Sequence, residues 1–295
     1  MDGRLLIIGG AAGPELLVRF VELAGGRSAR IVVIAAATES PEAAEAFHVG
    51  TFTELGAASV CALRLASRAD ANEPGTAAVL RDATGIFFTG GDQRRITTVL
   101  GGTAADSLLQ ELVAAGSVVL GGTSAGAAMM SATMIIGGGG PGVTAASVHT
   151  GPGLEFVPGV LIDQHFAQRG RLNRLLSAVA LYPHELGLGI DEDTAILIDG
   201  DRFEVLGSGA VTIVDAGAAT DIQVPPEGPI ALAGALVHVL PAGHTFHLTG
   251  RRPGIGEHSH EDREPAPSAR PQRVSVPAGG GGPAPSGGAD RPGDL

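Results

Sequence analysis

The chain has 295 residues, 44% hydrophobic, 17% charged and 3% aromatic, with 46 Gly, 19 Pro, one Cys and no Trp. That length can bury a substantial core, as one large domain or two small ones, and a lone cysteine excludes both an intrachain disulfide framework and a cysteine-rich metal site. The net charge of −12 argues against a nucleic-acid partner: residues 1–250 hold 13 basic and 25 acidic side chains and residues 251–295 hold 6 of each, so the acidic field belongs to the part expected to fold.

Met1-Asp2-Gly3-Arg4 and the short apolar run 5–8 lack the features of a secretory leader. No stretch of about 18 apolar residues runs unbroken, so a membrane span is not expected and a cytoplasmic location is. Short β-rich runs then alternate with helical patterns, the signature of βαβ units and a mostly parallel sheet covered on both faces. Strands are predicted at 5–8, 31–35, 59–65, 85–88 and 117–120, and helices at 14–23, 41–55, 76–81 and 104–114. Cys61 lies inside the third strand and is expected to be packed. Right-handed crossovers bring the strands' carboxyl ends to one edge, where open α/β sheets bind ligands.

After the fifth strand the sequence predicts a helix over 125–134, a loose stretch over 137–153 and a polar helix near 171–181. Apolar runs at 195–198, 203–206, 210–214, 236–240 and 245–248, separated by Asp-Gly, Gly-Ser-Gly and Pro-Ala-Gly turns, read as C-terminal β-hairpins closing the edge of the same domain. Residues 1–250 are therefore expected to form one domain, and 251–295, rich in Pro, Gly and Ser, a disordered tail.

Gly122-Thr123-Ser124-Ala125-Gly126 is a G-x-S-x-G string entered by an apolar strand and left by a small-residue helix, the setting in which a strained serine projects its hydroxyl above a sheet edge. Phe88-Thr89-Gly90-Gly91-Asp92-Gln93 ends the fourth strand on the same edge. Backbone N–H groups there, with that of Ala125, suit a developing oxyanion, and Gly91, Asp92 and Ala125 are the expected donors. A glycine turn before a helix capped by Asp92 accounts for the same residues. A serine nucleophile needs a base titrating near neutrality, and of nine histidines His48, His149, His165 and His184 are the candidates. Asp163-Gln164-His165-Phe166 precedes Arg169, Arg171 and Arg174; Arg171 and Arg174 share a helix face, which reads either as a solvated face or as guanidinium forks for a carboxylate. Gly187 to Ala195 holds three consecutive acids, Asp191-Glu192-Asp193, and strand alternation sends Glu192 to the face opposite its neighbours. Gly9-Gly10-Ala11-Ala12-Gly13 lacks the G-x-G-x-x-G order, and the second strand ends in Ala35-Ala36-Ala37 without a ribose-binding acid, which excludes a dinucleotide site.

Together and in this order, 85–93, 122–127, 162–166 and 187–195 resemble the cyanophycinase family of serine peptidases, related to the aspartyl dipeptidases and to the class I glutamine amidotransferase-like fold, with a looser likeness over 5–215. The resemblance implies Ser124 as nucleophile, His165 as base and Glu192 as orienting acid, no cofactor, and a homodimer. It places Gln93, Asp163, Gln164, Arg169, Arg171, Arg174 and Thr194 along a substrate groove. The implied substrate is cyanophycin, a polyaspartate with arginine on each β-carboxyl, cut to β-Asp-Arg dipeptides. The chain departs from the family at Ala11-Ala12-Gly13, which lacks an acid, and over 137–146, which has none. Three alternatives stand beside this reading: an aspartyl or isoaspartyl dipeptidase, an α/β-hydrolase esterase, and a catalytically silent relative that binds Asp-Arg peptides. The esterase fold orders its triad Ser, acid, His, whereas here the candidate His precedes the acid.

Overall fold

A computed structural model describes residues 3–254. Five parallel strands form the spine, in the order β3 (Ser59–Ala62), β2 (Arg30–Ile34), β4 (Gly85–Phe88), β5 (Val119–Thr123), β1 (Leu5–Ile8). Helices α1 (Pro14–Leu23), α2 (Glu42–Glu54), α3 (Pro74–Asp82), α4 (Gln93–Leu100) and α5 (Ala104–Ala114) connect them. Strand alternation divides the core between the two faces. Leu5, Ile7, Val32, Ile34, Ile86 and Phe88 point into a cluster with Leu80, Leu108 and Leu109, while Leu6, Ile8, Ile31, Val33 and Phe87 meet Leu16, Leu17, Phe20 and Phe52 on the other side. The helices present the matching stripes: α1, opened by Pro14, buries Leu16, Leu17, Phe20, Val21 and Leu23.

Three expectations change along this first half, the first being that β3 ends at Ala62 rather than at 65. Cys61 is exposed rather than packed: β3 is the edge strand, paired on one side alone, by β2. β5 starts two residues later than predicted, because Ser117 N still donates to Leu112 O at 3.0 Å in the turn after α5, and ends three later, running through Gly121 and Gly122; a Cβ at 121 would stand 2.6 Å from the Phe20 ring and one at 122 would stand 2.3 Å from the Gly126 carbonyl oxygen.

The helix after β5 is only α6 (Ala125–Ala128); the rest of the predicted helix turns at Ser131 and becomes β6 (Thr133–Gly137), paired with β7 (His149–Pro152) from the stretch read as loose. A further parallel pair, β8 (Val160–Gln164) and β9 (Leu186–Ile190), flanks α7 (Leu172–Leu181). β10 (Thr194–Asp199) then returns antiparallel to β1 and, with β11 (Arg202–Gly207), extends the large sheet as expected of the hairpin runs. β12 (Ala210–Asp215) does not. It pairs with β9, giving a second four-stranded sheet in the order β15-β12-β9-β8, where β15 is Leu236–Pro241. The chain changes sheets at Gly207, φ 97°, and the start of β12 is pinned across the turn by Asp191 Oδ2, which accepts from Ala210 N at 3.1 Å. β13 (Asp221–Gln223) and β14 (Ala231–Ala233) make a small hairpin between them. β16 (Thr245–His247) and β17 (Arg252–Gly254) complete the edge of the large sheet at nine strands. Ordered pairing therefore reaches Gly254, past the expected start of the tail; residues 255–295 lie outside the described part. Among the described residues no helix is long and apolar enough to cross a membrane.

Candidate active site

Three turns at the carboxyl edge converge. The first carries Ser124 between β5 and α6, at φ 54° and ψ −109°, a strained backbone for a residue with a Cβ. Its flanking glycines are forced by contact: a Cβ at Gly126 would stand 2.4 Å from the Phe88 carbonyl oxygen, and the Gly122 clash with Gly126 closes the same turn from the other side. Ser124 N donates to Ile8 O at 3.1 Å, tying the elbow to β1. The second turn, at the end of β8, holds His165 at φ 49°, with its N–H donating to Gly9 O at 2.7 Å. The third, between β9 and β10, holds Glu192.

His165 Nε2 lies 2.8 Å from Ser124 Oγ, and its Nδ1 lies 2.6 Å from Glu192 Oε1. An ionised carboxylate only accepts, so Nδ1 carries the proton and Nε2 accepts from the serine hydroxyl. Burial is the main influence holding the His165 pKa below the ordinary histidine value; Arg169 and Arg171 act in the same direction, and Glu192 opposes them. The imidazole is therefore neutral at pH 7 and able to take a proton. Of the other candidate histidines, His48 is half-buried, and its Nδ1 hydrogen-bonds Ala44 O at 2.8 Å within α2, away from the elbow.

The three acids divide their work, though not by strand alternation: they lie in the turn between β9 and β10, with Asp193 at φ 48°. Only Glu192 meets His165. Asp191 accepts from Ala167 N at 3.0 Å and from Ala210 N; Asp193 accepts from Gly13 N at 2.8 Å and from the Ser208 hydroxyl at 2.8 Å. Thr194, expected along the groove, is fully buried and internally bonded: its hydroxyl donates to Glu192 O at 3.0 Å and accepts from Gly209 N at 2.9 Å.

At the end of β4, Gly91 sits at φ 143°, where a Cβ would be 2.4 Å from Ala37 O, and the Cβ position of Gly90 is 3.9 Å from Ser124 Oγ. Among the described residues no acceptor faces the N–H groups of Gly91 and Ala125. Asp92 does not belong with them. Its N–H donates to Ala37 O at 2.9 Å, and its carboxylate caps α4 through Arg94 N at 2.9 Å and pairs with the Arg94 guanidinium, which holds its pKa low. The glycine turn and the helix cap are thus both present, and the cap consumes the donor expected of residue 92.

The remaining groove candidates separate by burial. Gln93 is buried and donates to Ile135 O at 2.8 Å. Asp163 and Arg174 are 1% and 6% exposed and form a two-point ion pair, with Arg174 Nε donating to Oδ2 at 2.9 Å. Arg174 also donates to Gly138 O at 3.2 Å, inside the glycine run. Arg171 reaches Asp163 at 3.4 Å and donates to both the backbone and side-chain oxygens of Gln164; burial lowers its pKa to about 10. The two arginines do share a helix face, as expected, but that face turns inward onto Asp163 rather than offering free forks. Arg169 alone is exposed, on the His165 turn.

Two supports had weak or no signal in the sequence. Gly10 belongs to the string considered for a dinucleotide, yet a Cβ there would stand 2.2 Å from His165 Cε1, so the imidazole lies directly on its backbone. Gln168 Oε1 accepts from Glu192 N at 3.0 Å, and nothing in the local pattern marks it.

Residues 5–206 match the model of peptidase family S51. The cyanophycinase of Trichormus variabilis is 39% identical over 258 residues, covering 84% of this chain and 86% of that protein. That of Geminocystis herdmanii is 39% identical over 261 residues, covering 85% and 96%. A crystal structure of a peptidase from an acI-B1 actinobacterium superposes with a TM-score of 0.59 at 23% identity, covering 81% of this chain and 98% of the other, a likeness of fold.

Proposed function

The chain belongs to peptidase family S51 and is a serine peptidase, and from that premise we propose that it hydrolyses the polyaspartate backbone of cyanophycin, releasing β-Asp-Arg dipeptides through Ser124, His165 and Glu192. The observation that carries the reading is the unbroken line Ser124 Oγ, His165 Nε2, His165 Nδ1, Glu192 Oε1, with links of 2.8 and 2.6 Å, beneath an elbow at φ 54°. Ser124 Oγ attacks the backbone carbonyl as His165 takes its proton. Glu192 stabilises the imidazolium that forms and holds the ring in the tautomer that serves the serine. The N–H groups of Gly91 and Ala125 face the developing oxyanion, each donor being worth about 3 kcal/mol of barrier. His165 then returns the proton to the leaving amine, and water, activated by the same imidazole, frees the acyl group.

Arg169 and the outer edge of Arg171 supply cationic groups for the carboxylates of such a substrate, and Gln164 an amide beside them. Asp163 and Arg174, neutralised by each other below, keep the turn carrying His165 in place. The esterase alternative conflicts with the chain order, since His165 precedes Glu192.

The test is clearing of a suspension of insoluble cyanophycin by the purified protein, with products weighed by mass spectrometry and Ser124→Ala run alongside. Clearing and β-Asp-Arg from the wild type only is the expected result. No clearing, with Ser124 still labelled by a fluorophosphonate, would remove the polymer as substrate and leave aspartyl or isoaspartyl dipeptides. No labelling, with tight binding of Asp-Arg peptides, would make the chain a silent binder.

A further inference from the structure

We infer that Asp193 is a positioning residue for the base: it clamps the 9–13 loop, and that loop is the platform on which His165 rests. The inference rests on the reading of Ser124, His165 and Glu192 as the reacting groups. Gly9-Gly10-Ala11-Ala12-Gly13 contains no polar side chain, so it cannot fix its own conformation through side-chain hydrogen bonds. Two of its residues, Gly10 at φ 128° and Ala11 at φ 43°, lie in the left-handed half of backbone space, where a loop needs outside support.

That support comes from the turn of the three acids. Asp193 N donates to Gly10 O at 2.9 Å, Asp193 Oδ1 accepts from Gly13 N at 2.8 Å, and Thr194 O accepts from Gly9 N at 2.9 Å. Asp193 is itself anchored by Ser208, whose N–H and hydroxyl reach its carbonyl and Oδ2 at 2.9 and 2.8 Å. On its other side the loop touches the base twice: Gly9 O accepts from His165 N at 2.7 Å, and the Gly10 backbone lies under the ring. The same turn therefore grips His165 from two directions, Glu192 at Nδ1 and Asp193 through the loop beneath. Because Oδ1 of Asp193 also satisfies the N-cap of α1, where Gly13 offers no side chain, a purely structural role as a helix cap is the competing account.

Asp193 adopts φ 48°, which asparagine tolerates and glycine accepts without strain, so two substitutions separate the accounts. Asp193→Gly keeps the backbone conformation and the turn's two backbone bonds to the loop but removes the side-chain half of the clamp, the Oδ1 bond to Gly13 N and the Oδ2 anchor to Ser208. It is expected to lower kcat for dipeptide release about tenfold to a hundredfold with KM within about twofold. It should also slow fluorophosphonate labelling of Ser124 in parallel and broaden or shift the far-downfield proton of the His165–Glu192 hydrogen bond. Asp193→Asn keeps an acceptor for Gly13 N and should recover most of the rate and the proton signal. Wild-type kcat and an unmoved proton in folded Asp193→Gly would overturn the inference, as would a loss that Asp193→Asn fails to rescue. If Asp193→Gly does not fold, Asp193→Glu, which carries the carboxylate one methylene past Gly13 N, takes its place: a kcat loss in a folded protein supports the clamp and an unchanged kcat overturns it. Ser124→Ala, run alongside, separates the two levels, since turnover surviving in that variant sinks the reading of the site itself, whatever Asp193 does.

Discussion

Gly10→Ala is a severe test of the geometry because it replaces none of the three reacting side chains. The added Cβ would stand 2.2 Å from His165 Cε1, 2.5 Å from Nδ1 and 2.7 Å from Nε2, all atoms of one ring. Recovering an ordinary 3.4 Å contact requires the ring to lift by about 1.2 Å. The ring cannot lift without stretching the 2.8 Å link to Ser124 or the 2.6 Å link to Glu192. A displacement of about 1 Å in a reacting group costs on the order of a hundredfold in rate, well short of the roughly millionfold loss when a triad histidine is deleted. The backbone adds a second cost, since φ 128° is rarely adopted by residues with a Cβ and its strain is about 1–3 kcal/mol. The expected outcome is a kcat for dipeptide release about a hundredfold below wild type, KM within about threefold, and a melting temperature lower by several degrees. Steady-state release from cyanophycin, with Ser124 labelling and a thermal melt on the same preparation, measures all three. A folded Gly10→Ala protein with kcat within about threefold of wild type would refute the claim that the imidazole is held against this backbone.

Glu192→Gln should lower kcat by about a hundredfold to ten-thousandfold with little change in KM, since the amide loses the charge that stabilises the imidazolium and its NH2 favours the tautomer that cannot accept from Ser124; an unchanged rate would remove Glu192 from the triad. Because His165 must be neutral to act and its pKa is held below the ordinary 6.5, kcat/KM should rise with pH to a plateau, with its midpoint below 6.5. Arg169→Ala, by removing a nearby cation, should move that midpoint upward, and a midpoint above 7 in the wild type contradicts the assignment. Arg174→Met strands a buried carboxylate with only the longer contact to Arg171, and should cost about 3–5 kcal/mol in urea unfolding. Arg169→Ala, on an exposed side chain, should cost less than about 0.5 kcal/mol, and equal losses in the two variants would refute the burial argument.

Elements whose ends are signalled locally were legible in the sequence. β1 and β4 begin and end where predicted, as do α1, started by Pro14 and followed by Gly25-Gly26, and α5, capped by the Thr103 hydroxyl. The run after Ser124 was not legible, because Ala-Gly-Ala-Ala-Met-Met reads as helix by propensity while the chain must turn at Ser131 to lay β6 against β7. The second sheet was hidden for a different reason. Its central strand β9 contains Gly187 and Gly189, which depress any strand propensity, yet both are required by packing: a Cβ at either would fall 2.5 Å from Val179 or from Phe166. Which strands pair with β9 is decided by α7 and by the Gly207 turn, neither of which leaves a mark within the strand.

At the site, the three side chains that the structure brings together, Ser124, His165 and Glu192, were legible because each stands at a strand end beside a glycine or a charge, but the direction in which the arginines point was not legible from that pair alone. Arg171 and Arg174 share a face, and that face is the inward one. Arg171, Arg174, Leu175 and Ala178 follow the spacing i, i+3, i+4, i+7, so the arginines lie on the same stripe as two residues that are fully buried. An arginine on an apolar stripe must bring its own counter-charge, because an isolated buried guanidinium costs several kcal/mol. Asp163, directly after the apolar run 160–162, is the acid placed to supply it. The pairing was therefore available to the helical period alone. One cation of the cluster is thus spent inside the protein, and on the function proposed above recognition of a substrate carboxylate at this edge would fall to Arg169 and to what Arg171 leaves uncovered. Arg169→Ala should then raise KM for an aspartate-rich substrate more than it lowers kcat, and equal effects on both would place Arg169 in the chemical step instead.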